Sequence, residues 1–213
     1  MNTYSAKNFD HLIGAEGFSK ELLTNHFALY EGYVKNTNQL AETLLGLVKQ
    51  GKTGTPEYAE LHRRFGWEFN GMRLHEYYFG NMTKERTELK RDSEFHKHVQ
   101  EHVGSYDTWE KDYKGTGAMR GIGWCILYYE PPGGRFFNTW VEEHNTGHLS
   151  GAIPILVMDV FEHAFVTDYG IKRNDYIEAF FRSIDWTVVT NRLAASTEHR
   201  GMERARKSGL AQK

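Results

Sequence analysis

The chain has 213 residues, 39% of them hydrophobic and 25% charged, with a formal net charge of −2. This size and balance suit one large globular domain or two small ones, and give no sign of nucleic acid or a membrane as partner. A single Cys excludes an internal disulfide framework, the opening residues lack the pattern of a signal peptide, and no apolar run approaches the roughly 18 residues of a membrane span; the expected location is cytoplasmic.

From Phe18 to about Gln50, Leu22, His26, Leu29, Tyr33, Leu40, Leu44 and Leu47 recur at helical spacing. This predicts an amphipathic helix with His26 and Tyr33 on its apolar face. Gly51 to Pro56 reads as a turn, with Thr55 able to cap the next helix. That second helix is predicted from about Glu57 to Met82, its stripe formed by Leu61, Phe65, Phe69, Met72, His75, Phe79 and Met82. Two long helices joined by a short loop pack antiparallel, which draws His26 and His75 towards each other.

Residues 83–93 are almost wholly polar and mark the expected boundary between an N-terminal helical hairpin domain, 1–90, and a mixed C-terminal domain, 91–213. Helical character resumes to about Lys114. Gly121 onward reads as strand, turn and strand, with Cys125 as an inert core thiol. The run ending at Asp159 is a third buried strand, Tyr176 to Asn191 reads as a helix, and His199 to Lys213 as a frayed basic tail. The fold class is α+β.

Asp159 and His163 stand four residues apart among large apolar side chains, where unpaired polar groups cost several kcal/mol. A lone His on an apolar helix face is more often a hydrogen-bonded core residue than a ligand. Here one lies on each of two paired helices, and an Asp and a His join them from a strand end. Three imidazoles and a carboxylate suit a borderline first-row ion such as iron or manganese, and the lack of Cys in the set argues against structural zinc.

Asp159-Val-Phe-Glu-His163-Ala resembles the Asp-x-Trp-Glu-His-Ala pattern of the iron and manganese superoxide dismutases, with Phe161 in place of the usual Trp. Other matching stretches are Tyr33-Val-Lys-Asn-Thr-Asn, Gly121-Ile-Gly-Trp124, Ile153-Pro154 and Arg173-Asn-Asp-Tyr-Ile-Glu-Ala-Phe-Phe. The resemblance implies a long antiparallel helical hairpin followed by a three-stranded antiparallel sheet with flanking helices. It also implies one Fe or Mn ion per subunit held by His26, His75, Asp159 and His163. The implied reaction converts two superoxide anions to oxygen and hydrogen peroxide as the ion cycles between 3+ and 2+. By the same resemblance, Tyr33 lines the substrate channel, Trp124 walls the site, and Glu162 reaches the partner's His163 across a homodimer, with higher oligomers open.

The chain departs from this pattern in several places. Six residues, not the usual seven, separate His26 from Tyr33, so either the helix lacks a one-residue bulge or Tyr30 takes part of the role. An interface His–Tyr pair of the family corresponds to Tyr30 and Val166, and a channel-mouth Lys to Leu29. Arg173, with Lys35, remains to attract superoxide. The solvent-binding Gln of many members corresponds to Gly71, and the loop Val141 to His148 also lacks Gln; the loop resembles that of the branch of the family that uses a His here, and this resemblance implies His144, ahead of His148, in that role. That His-type arrangement slightly favours iron. A mononuclear iron oxygenase is disfavoured by the third His, whereas a non-catalytic metal-binding or structural dimer is the alternative to the enzyme.

Overall fold

The computed structural model describes residues 3–197. Helix α1 (Lys20–Lys49) and helix α2 (Pro56–Gly80) form the antiparallel hairpin. Each begins where a hydroxyl side chain caps it: Ser19 accepts from the Leu22 N–H and Thr55 from the Tyr58 N–H, with Pro56 preset in the first helical turn. α1 is α-helical throughout, with no π turn, so the shortened His26–Tyr33 spacing reflects a missing bulge.

Residues 83–93 carry no helix, but they are pinned. The Thr87 hydroxyl donates to the Ile184 carbonyl and accepts the Trp186 N–H. Helix α3 (Glu94–Val103) and helix α4 (Tyr106–Gly117) follow where one helical run was expected. The break has a local cause: Gly104 adopts φ of 93°, which only glycine takes without strain, and Ser105 then caps α4.

Strands β1 (Gly123–Glu130), β2 (Arg135–Glu142) and β3 (Ile153–Asp159) form an antiparallel sheet in the order β2-β1-β3. β1 is central and almost wholly buried, consistent with its unbroken run of apolar and aromatic residues. Cys125 lies there with no exposure, its thiol directed at the Tyr113 carbonyl. The register sets Trp124 opposite Asp159, so the indole and the carboxylate leave the same face of the sheet.

After β3 come a 3-10 turn (Glu162–Ala164), helix α5 (Val166–Tyr169) and helix α6 (Arg173–Ser183). The helix expected from Tyr176 to Asn191 is in fact two: the chain straightens at Ile184 and becomes helical again over residues 186–197. Asp185 starts the new helix by accepting the Thr187 and Val188 N–H groups. The expected tail, His199 to Lys213, lies outside the described residues.

Buried Asn81, just past α2, joins these parts. Its amide donates to the carbonyls of Tyr78 and Val157, and its oxygen accepts from the Val157 N–H and from Arg192. Its own carbonyl accepts the Asp185 N–H. Among the described residues, no helix is long and apolar enough to cross a membrane.

Candidate metal centre

Four side chains from three parts of the chain converge in the interior. His26 on α1, His75 on α2, Asp159 at the end of β3 and His163 in the 3-10 turn offer ligand atoms that all lie within 4.8 Å of one another. Asp159 is fixed through Oδ1, which accepts the Phe161 N–H at 2.8 Å. Its Oδ2 then faces Nε2 of His26 at 3.2 Å, of His163 at 3.2 Å and of His75 at 3.6 Å. Separations of this size are the polyhedron edges expected for ligands roughly 2.0–2.2 Å from a shared centre.

The protonation pattern favours a cation there. Nδ1 of His75 lies 2.6 Å from the Gly71 carbonyl, which can only accept, so that nitrogen carries the proton and Nε2 presents a bare lone pair. That Nε2 is buried and has no hydrogen-bond partner. Burial lowers the pKa of both His26 and His75, keeping their rings neutral. Burial would raise the Asp159 pKa, but the charge and hydrogen bonding of His163, with help from His26, hold it below the usual carboxylate range. A buried, ionised carboxylate with no Lys or Arg partner among the described residues, facing the bare Nε2 of His75, fits a bound first-row metal.

A second layer surrounds the cluster. His144 is fully buried, with Nδ1 3.0 Å from Trp124 Nε1 and Nε2 2.7 Å from the Tyr33 hydroxyl. Indole can only donate, so Nδ1 of His144 accepts and Nε2 carries the proton. That proton goes to the Tyr33 oxygen, which leaves the tyrosine's own O–H free to turn elsewhere. Burial, reinforced by the charges of His163 and Arg64, lowers the His144 pKa to about 4 despite Asp159 nearby. Burial, with the charges of Asp159 and Glu68, pushes Tyr33 up to about 12. Both groups are therefore neutral near pH 7. Phe161 stacks on His144 at 4.7 Å and on His163 at 5.2 Å between ring centres.

The comparisons with known proteins bear on the same residues. Residues 91–192 match the model of "Iron/manganese superoxide dismutases, C-terminal domain". The chain is 35% identical over 203 residues to an iron superoxide dismutase of Aquifex pyrophilus, covering 90% of this chain and 92% of that one. The chain belongs to the iron/manganese superoxide dismutase family. A manganese superoxide dismutase of Haloferax volcanii is 32% identical over 169 residues, 79% of this chain and 83% of that one. An iron superoxide dismutase of Cupriavidus metallidurans is 31% identical over 185 residues, 84% of this chain and 90% of that one. Relatives named for each metal thus occur at similar identity, and family membership does not choose between iron and manganese. The enzymes of this family are oxidoreductases whose substrate is superoxide.

Within this superoxide dismutase fold, the remaining expected residues divide. A Cβ on Gly71 would stand 2.5 Å from Tyr33 Cδ1, so the Tyr33 ring occupies the space that a longer side chain at 71 would need. Tyr30 is buried, but its hydroxyl accepts the Lys7 N–H and donates to Glu76, away from His144. His148 bonds to the Tyr128 hydroxyl and the His144 carbonyl, supporting the loop from outside. Glu162 is exposed. Arg173 gives its guanidinium to the carbonyls of Met119 and Gly121 and lies over Phe165, with no contact to the cluster.

Four contributors escaped the sequence reading. Trp67 packs edge-on against His144 at 4.9 Å; Arg64 lies over Trp67 at 5.0 Å and pairs with the buried Glu68. An aromatic and a charge pair on a polar helix face give no signal in sequence. Glu143 adopts φ of 53°, alone among the described non-glycine residues, and turns the chain just before His144.

Proposed function

We propose that this chain dismutates superoxide, using one iron or manganese ion held by His26, His75, Asp159 and His163. The observation that carries the reading is the bare, unpartnered Nε2 of His75 facing the ionised Asp159. When bound, the ion supplies one-electron redox chemistry, and the chain's own residues control anions, water and protons around it. Tyr78, Phe79, Trp124 and Phe161 close the site with aromatic walls. Tyr33, anchored by the His144 proton, offers a donor O–H at the channel. Proton delivery to the reduced product is its role, and His144 positions it.

Steering falls to Arg64 in preference to Arg173. Its charge lowers the pKa of both Tyr33 and His144, so it is felt where a small anion would enter. Pairing with Glu68 moderates that charge and fixes its position.

The working unit in this reading is a cytoplasmic homodimer. Glu162, Val166, Ile171 and Arg173 line a surface cavity of about 710 Å³, and Val166 and Ile171 are exposed apolar residues. Apolar exposure beside an exposed carboxylate supports a second copy seated here, with Glu162 directed at its metal site.

Asp159→Ala tests the site itself. The variant should bind less than a tenth of the parent's iron or manganese by elemental analysis, and should lose turnover in proportion, since it removes the one anionic ligand. Full metal content in a folded variant would reject the assignment.

A further inference from the structure

The other histidines of the chain are not scattered evenly. His98 and His102 stand one turn apart on α3, so their side chains are neighbours on one helix face. Their ring centres are 5.7 Å apart. Among the described residues, neither ring has a hydrogen-bond partner for its nitrogens. Two imidazoles sharing an ion at about 2.0–2.1 Å from each nitrogen bring their ring centres to on the order of 5 Å. A small side-chain rotation closes that difference. His98 is half-buried and braced by Tyr129 and Phe136, with ring centres at 5.9 and 5.5 Å, while His102 is exposed and free to rotate onto it.

We propose that this end of α3 is a second metal site, in which His98 and His102 chelate one borderline divalent ion of the zinc, nickel or copper type. Paired histidines four apart on a helix are a recurrent way of presenting two nitrogens to such an ion. The location adds to the attraction. His102 lies in the last turn of α3, where the unpaired carbonyls of the helix end favour positive charge. The site differs from the buried cluster in kind. It has two ligands, one braced and one mobile, and an open side, so it suits exchangeable binding, and it does not depend on the dismutase reading.

The test uses full-length protein with its buried site already loaded, as verified by elemental analysis. Zinc titrated in a non-chelating buffer should show one further equivalent by calorimetry and should raise the melting temperature by linkage. His102→Ala should weaken that binding by roughly tenfold or more, as should His98→Asn. His96→Ala should leave it unchanged, because His96 stacks on Tyr106 instead of joining the pair. Circular dichroism verifies that each variant folds. If His98→Asn unfolds, the exposed His102 position decides alone. Absence of the further equivalent, or equal affinity in folded His102→Ala, would overturn the proposal.

Discussion

At the scale of single residues, Trp124 determines which way a proton can travel. Its indole N–H occupies Nδ1 of His144, which commits the other ring nitrogen to donate to Tyr33 and leaves the tyrosine O–H available. His144→Ala removes the anchor of Tyr33 without touching any of the four proposed ligands. It should retain its metal and lose turnover by roughly 10- to 100-fold, read by superoxide consumption per metal-loaded subunit. Undiminished turnover would remove His144 from the mechanism. Much at this scale was legible in the sequence. His26, His75, Asp159 and His163 announced themselves as polar groups on apolar faces, and of the two loop histidines it is His144 that bonds to Tyr33. The Arg64–Glu68 pair was not legible, because nothing in a polar helix face reveals which charge overlooks a channel. Nor was the orientation of Tyr30, whose hydroxyl is claimed by Lys7 and Glu76 across a sequence separation no pattern reports.

At the scale of elements, the two misread helices share one explanation. Periodicity continues through Gly104 and through Asp185, but a left-handed glycine in the first case and an aspartate cap in the second end one helix and start another. Strand order was likewise beyond a linear reading, since β1 pairs with both neighbours and its register alone sets Trp124 beside Asp159. Asn81 shows how few contacts fix the elements to one another. Asn81→Ala would leave the Val157 N–H and the Tyr78 carbonyl end of α2 without their partner in a buried setting. It should cost about 3 kcal/mol of unfolding free energy, measured by urea titration. A loss under about 0.5 kcal/mol would show that water replaces the amide.

At the scale of the whole molecule, the site makes stability depend on pH. His144 titrates near 4 in the folded chain against an ordinary 6.5, and burial lowers His26 and His75 in the same direction. Between those values the unfolded chain binds more protons than the folded one. The contribution is therefore complete above about pH 6.5 and is lost as pH falls through about 4. Metal-free protein should melt at a steady temperature above neutrality and at progressively lower temperatures below it, followed by circular dichroism. A melting temperature that rises on acidification would contradict this. The most direct test of the proposed function is catalytic superoxide decay, followed by rapid mixing, for protein reconstituted separately with iron and manganese and quantified for bound metal. Turnover should be proportional to metal content with at least one of the two ions and absent from the metal-free protein; full occupancy by each ion without turnover would make the chain a metal-binding protein that keeps the fold without the reaction.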